Sequence, residues 1–195
     1  PHRNYANIPD GLVTQGAFQV STEDSWSTIA DWAVEVYDID VTLPAVASKK
    51  IKSIKKTYKS DSDRALAALR WVQEDVRYLG FEEGVNGHRP RTPTVTLANG
   101  YGDCKDKSLL LQTALTEMGL TSFVVLVNSS TGGLLDKVLP SIGMFDHAIV
   151  MAEIDGRTIY MDPTGTYQRG GLANYGEPDY GFVLPIRKGQ TELVE

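Results

Sequence analysis

The chain contains a single cysteine, Cys104, in 195 residues. That scarcity excludes an internal disulfide and any multi-cysteine zinc cluster, and leaves the redox compartment unmarked. Histidine is nearly as scarce: His2, His88 and His147 are all there are, so the close Cys/His pairs of a zinc site are missing and no metal site is indicated. There is no run of about 18 apolar residues and no cationic stretch leading into an apolar one, so no segment reads as a membrane-spanning helix or an export signal. The Asp-rich loop of an EF-hand and the glycine loops that cradle phosphates are also absent, so neither calcium nor an organic cofactor is indicated. A formal net charge of −6 weighs against a nucleic-acid partner, which selects basic surfaces. Hydrophobic content, by contrast, is an ordinary 42%, enough for one sizeable core with no need of a second. The chain opens on Pro1 and is read as a piece of a longer protein. Residues 1–20, with Pro9-Asp10-Gly11, form a linker or the tail of a preceding domain, and residues 21–195 form the domain proper.

The lone cysteine lies in Gly100-Tyr101-Gly102-Asp103-Cys104-Lys105-Asp106-Lys107, directly ahead of the apolar helical stretch from Ser108 to Leu120. Unpaired N–H groups and the positive end of the helix dipole favour a thiolate at such a position. Asp103 is the expected N-cap, Gly119 the expected stop, and Cys104, Ser108, Leu111 and Leu115 share one stripe of the helix. The charged neighbours Asp103, Lys105, Asp106 and Lys107 argue against the commonest role of a cysteine, that of a small buried hydrophobe. Farther along, Ala148 to Ile154 and Thr158 to Met161 are rich in apolar and β-branched residues, and Asp155-Gly156 between them is a two-residue hairpin signal. If Ile154 faces Arg157 across that turn, Asp162 falls opposite Ile149. His147 is then its diagonal neighbour on the same face, about 7–8 Å away at the backbone. An aspartate there reaches an imidazole nitrogen. Bringing Cys104 to the other nitrogen completes a nucleophile, a base and a group that orients the base.

The run Tyr101 to Lys107, the later Phe145-Asp146-His147 and the closing Met161-Asp162-Pro163-Thr164 resemble the transglutaminase-like superfamily, in particular a bacterial branch. In that branch the domain follows a β-rich N-terminal domain in a larger, usually exported protein. The likeness extends back through Trp71-Val72-Gln73-Glu74-Asp75-Val76-Arg77-Tyr78, Arg89-Pro90 and Ser25-Trp26, and so covers about Ser21 to Gly165. It implies an α+β, papain-like transglutaminase core, in which the nucleophile helix packs on an antiparallel β-sheet behind additional N-terminal helices. It also implies Cys104 as nucleophile, His147 as general base and acid, Asp162 as orienting carboxylate, and a periplasmic or exported location.

The rest of the sequence supplies supports and walls. A stripe through Trp26, Ile29, Ala30, Ala33, Val36 and Tyr37 predicts a core helix from Glu23 to Tyr37. Ala45 to Tyr58 repeats the pattern, with Ala47, Ile51, Ile54 and Tyr58 inside. Its outside carries Lys49, Lys50, Lys52, Lys55, Lys56 and Lys59, either a docking face for an acidic partner or a solvated face. A third helix, Asp63 to Tyr78 with an Asp61/Ser62 cap, buries Leu66, Leu69, Val72 and Val76 and should lie beside the cysteine helix. Thr121 to Val127 reads as a central strand, paired with the His147 strand. Gly80 to Asn99 has little period and leads into the nucleophile, so it is the expected wall of a cleft. In it, Arg89 or Arg91 either pairs with a substrate carboxylate or braces Glu82 or Glu83. Tyr78 is either another wall residue or a core tyrosine. The glycine-rich connection from Asn128 to Phe145 suggests a lid.

The expected chemistry is attack of the Cys104 thiolate on an amide carbonyl of a peptide or protein, an oxyanion held in part by the Cys104 backbone N–H, and a thioester. Water as acceptor makes a protease or amidase, and an amine makes a transglutaminase. A non-catalytic peptide-binding module of the same fold, and a latent fragment awaiting its preceding domain, are the alternatives.

Overall fold

In the computed structural model, residues 18–80 and 87–195 are described, and within them the helical stripes of the sequence form helices. The first, α1 (Trp26–Tyr37), starts three residues later than predicted, because the Ser25 hydroxyl accepts the Thr28 N–H at 3.2 Å and serves as the cap. Helix α2 (Ala45–Thr57) buries Ala47, Ile51 and Ile54 as expected. Tyr58 does not join them: the backbone turns extended there, φ −103° and ψ 141°, and the side chain is 40% exposed.

Helix α3 (Asp61–Asp75) is capped by Ser60, whose hydroxyl accepts the Asp63 N–H, not by Asp61 or Ser62. It buries Leu66, Leu69 and Val72, with Val76 buried just beyond its end, but it stops at Asp75 and not at Tyr78. Arg77–Tyr78 instead form a two-residue strand, β1, parallel to β2 (Tyr101–Gly102). The Arg77 and Leu79 N–H groups donate to the Gly100 and Gly102 carbonyls at 3.0 and 2.9 Å. Long-range backbone pairing thus overrides local helical periodicity and clamps the chain immediately before Cys104. Part of the stretch expected to be irregular is also a helix, α4 (Pro93–Asn99). It has Thr92 as N-cap, proline at its first position and Gly100 closing it at φ +67°.

Helix α5 (Cys104–Glu117) runs as predicted between its Asp103 cap and Gly119, at φ +91°. It packs on an antiparallel sheet of four strands in the order β5-β4-β3-β6, where β3 is Ser122–Val127, β4 His147–Ile154, β5 Arg157–Met161 and β6 Leu184–Pro185. The β4–β5 hairpin has the predicted register, with Ile154 opposite Arg157 and Val150 opposite Met161. Asp155 and Gly156 adopt φ 52° and 72°, the doubly left-handed turn that Asp-Gly favours. Val127 pairs with His147, joining the two predicted central strands.

One face of the sheet, with Val150, Ala152, Ile154 and Met161, packs with Leu110, Leu111, Ala114 and Leu115 of α5 and with α3 and α2 behind it. The other face, with Val125, Val127, Ile149 and Met151, is covered by Val183, Tyr180 and Val194. The chain beyond Gly165, for which the sequence suggests no element, therefore supplies both the fourth strand and a lid over the second face.

The connection from Asn128 to Phe145 is not the free lid its glycines suggested. It forms 3₁₀ turns at Gly132–Lys137 and Ile142–Met144 and buries Leu135 completely. Gly132 sits against the C-terminal segment: its carbonyl accepts the Phe182 N–H at 3.2 Å, and a Cβ there would lie 1.8 Å from the Tyr180 carbonyl oxygen. Glycine is needed at this position for close approach, not for mobility. Gln19, inside the expected linker, holds the same connection by accepting the Leu139 N–H at 2.8 Å and donating to its carbonyl at 3.3 Å. Residues 1–17 of the expected linker, and Glu82 and Glu83, lie outside the described residues.

Candidate active site

The start of α5 is built from charges that the interior has taken in. The Asp103 carboxylate accepts the Asp106 N–H at 3.3 Å, and the Asp106 carboxylate accepts the Asp103 N–H at 3.2 Å, a reciprocal capping box. Asp106 also takes the Arg91 guanidinium and the Arg91 backbone N–H, each at 2.6 Å. Lys105 pairs with Asp103 at 2.5 Å, and the Lys107 ammonium donates to the Val76 carbonyl. All four charged neighbours of Cys104 are at most 5% exposed. The charged neighbours are buried scaffolding, whereas Cys104 itself keeps partial exposure. Burial raises the Asp103 carboxyl above the usual range against the pull of Lys105, and it lowers Lys107 to about 8 despite the opposing charge of Asp162.

Ser108, one turn into α5, donates to the Ala148 carbonyl at 2.9 Å. That bond fixes the first turn of the helix against the first residues of β4, which carry His147. The His147 Nε2 is 2.9 Å from Asp162 Oδ2, as the hairpin register requires, which leaves Nδ1 unused by Asp162, and Cys104 lines the same cavity as the ring. Burial disfavours the imidazolium, but the hydrogen bond to Asp162 and the influence of Asp162 and Cys104 outweigh it and raise His147 to about 10. For Asp162, burial pulls upward while His147 and Thr164 hold the carboxyl below its ordinary range.

Asp162 is held at every polar atom. Its Oδ1 accepts the Thr164 N–H and hydroxyl, both at 2.7 Å, and its Oδ2 accepts the Tyr180 hydroxyl at 3.5 Å besides facing His147. The Asp162 N–H donates to Glu177 at 3.1 Å and to the Tyr175 hydroxyl at 3.3 Å. Its carbonyl accepts from Gln73 of α3 at 2.9 Å, and the same amide nitrogen donates to Gln168 at 2.7 Å. Tyr180 also lies against His147, ring centroids 6.4 Å apart. Thr164 and Gln73 stand in stretches quoted above without a role, and sequence reasoning missed the others because they come from a C-terminal segment without periodicity.

Cys104 and His147 open into a cavity of about 390 Å³ walled by Trp32, Tyr37, Leu126, Ile142 and Phe145. Helical periodicity puts Tyr37 on the core stripe of α1 and singles out no role for Trp32. The three residues expected around the substrate are elsewhere. Tyr78 is 46% exposed on β1, neither a wall nor a core residue. Arg89 is exposed and outside the cavity lining, and Arg91 braces Asp106.

No family model matches the sequence, and no curated protein does. Among solved structures, a putative protease from Parabacteroides distasonis ATCC 8503 aligns with 89% of this chain at TM-score 0.61 and 16% identity. The two share a fold. The alignment takes in 31% of that protein, so this chain spans about a third of its length. A TGase aligns with 75% of this chain and 36% of its own at TM-score 0.48 and 17% identity, and a putative cysteine protease from Cytophaga hutchinsonii with 65% and 43% at 0.41 and 19%. The architecture is the expected one: α+β, with the Cys104 helix against an antiparallel sheet and further helices ahead of it. No helix among the described residues is long and apolar enough to cross a membrane.

Proposed function

We propose that this chain carries out thiol-dependent amide-bond chemistry on a peptide or protein, with Cys104 as nucleophile, His147 as acid and base, and Asp162 as the carboxylate that orients the imidazole. The observation that supports this most is the position of His147, bonded to Asp162 and lining one cavity with Cys104, which acts with Asp162 to raise the ring. With His147 raised to about 10, the resting ring is an imidazolium beside the sulfur. The thiolate attacks the carbonyl carbon, and the oxyanion forms within reach of the first N–H groups of α5. Collapse breaks the C–N bond, and the imidazolium gives its proton to the departing amine. The neutral ring then takes a proton from the acceptor as it attacks the thioester carbonyl, and collapse breaks the C–S bond, which restores the thiolate beside the imidazolium. Water as acceptor yields an acid, and an amine yields a new amide.

Iodoacetamide alkylation of Cys104 across pH, with intact mass to confirm the site, tests the assignment. Labelling that stays rapid through neutral and mildly acidic pH, and slows at least tenfold in His147→Ala and to a lesser degree in Asp162→Asn, is the expected result. Labelling that follows an ordinary free thiol and ignores both substitutions overturns the assembled triad and favours a peptide-binding module.

A further inference from the structure

The cavity beside Cys104 has a composition that restricts what it can hold. Its lining includes the apolar side chains of Trp32 on α1, Leu126 on β3, and Ile142 and Phe145 at the end of the 128–145 connection. The walls are braced. Trp26 packs edge-on against Phe145 with centroids 5.8 Å apart, and His88 packs edge-on against Trp32 at 5.2 Å. Helix α1 thus supports both sides of the cavity, one directly and one through Trp26.

The carboxylates and ammonium group in the lining are already engaged among the described residues. Asp103 is bound to Lys105 and to the Asp106 N–H. Asp146 accepts the Ser129 N–H and hydroxyl at 2.8 and 2.7 Å, and no arginine of the described chain lines the space. An acidic side chain entering here would lose hydration and find the lining cations, Lys105 and His147, already paired with Asp103 and Asp162, while a basic one would meet only the Asp146 carboxylate, which already accepts two hydrogen bonds from Ser129. An aliphatic or aromatic side chain would exchange water for the apolar surfaces of Trp32, Leu126, Ile142 and Phe145, of which Trp32 and Phe145 are braced by aromatic neighbours.

We infer that this cavity is a specificity pocket for a large apolar or aromatic side chain on the residue that supplies the acyl group to Cys104. The inference rests on the proposed thiol chemistry and adds the class of substrate to it. A volume of about 390 Å³ accepts a leucine or phenylalanine side chain together with the carbonyl being attacked, which explains why the apolar walls and the sulfur belong to one space.

N-acetyl aminoacyl chloromethyl ketones test this without requiring turnover. The thiolate forms a carbon–sulfur bond and chloride departs with the electron pair of the carbon–chlorine bond, so each reagent reports how well its side chain seats beside Cys104. The phenylalanine and leucine reagents should alkylate Cys104 at least tenfold faster than the aspartate and lysine reagents at the same pH, with iodoacetamide as the side-chain-free reference. Ile142→Lys, which places a cation in a partly exposed wall, should shift the preference at least tenfold towards the aspartate reagent. Equal rates across the panel, or a preference for a charged reagent in the natural protein, overturn the pocket while leaving a His147-dependent iodoacetamide reaction, and with it the proposed chemistry, intact. Loss of that His147 dependence removes both.

Discussion

At the residue scale, His147 and Lys107 are displaced in opposite directions by the same interior, and this gives stability a pH signature. His147 is raised from 6.5 to about 10, so its folded-state interactions contribute fully below about pH 6.5 and are lost as pH rises towards 10. Asp162 is lowered from 3.8, so its contribution holds above that value and is lost on further acidification. Both are present in full between those limits. The difference in Tm between the natural protein and His147→Gln should therefore be largest near pH 5 and shrink steadily to pH 10. A difference independent of pH over that span refutes the ion-paired imidazole. Lys107, lowered from 10.5 to about 8, binds its proton more weakly folded than unfolded, so its burial opposes folding below pH 8 and ceases to do so as pH rises towards 10.5. Lys107→Met should accordingly flatten the rise in stability that the lysine contributes between pH 8 and 10.5, as read by denaturant unfolding at each pH. The alkaline limb of any amide turnover should fall near pH 10, where the proton for the leaving amine is gone.

At the scale of elements, the helix that carries Cys104 is specified twice: locally by the Asp103–Asp106 capping box and at a distance by Arg91. Asp106→Ala removes half of the box and leaves the Arg91 guanidinium facing a site that is 1% exposed, which should cost about 3–5 kcal/mol by denaturant unfolding. The local half of this design was readable in the sequence, since an aspartate before an apolar run and another three residues later form a helix-start pattern. The distant half was not. Arg91 has no periodic relation to Asp106, and nearness along the chain points to Glu82 and Glu83 instead. The Asn128 to Phe145 connection carries the same lesson. Its glycines suggested mobility, yet Gly132 is required because the Tyr180 carbonyl occupies the space of its Cβ. Gly132→Ala should lower Tm by about 5–10 °C, the equivalent of about 2–3 kcal/mol at this size, and should weaken the Tyr180 contact to Asp162. An unchanged Tm would show that the backbone crossing is not as close as described.

For the whole molecule, the site is a meeting of separate stretches: the start of α5, the β4–β5 hairpin, α1, Gln73 of α3, Leu126 of β3, the end of the 128–145 connection and the chain from Gln168 to Tyr180. The amino-acid sequence by itself determined the first two, because cap chemistry acts over three residues and a two-residue Asp-Gly turn dictates register by counting. It also determined the helical stripes of α1, α2 and α3, because amphipathic spacing needs no knowledge of what lies opposite. The tertiary structure alone decided that the charges around Cys104 are internal, that Arg77–Tyr78 leave α3 to pair with Tyr101–Gly102, that Trp32 and Tyr37 open onto the cavity, and that Gln73, Tyr175, Glu177 and Tyr180 hold Asp162. The physical reason is common to all of these: each depends on a partner many residues away, whose approach is set by packing and backbone pairing across the fold and leaves no period, spacing or cap in the local sequence.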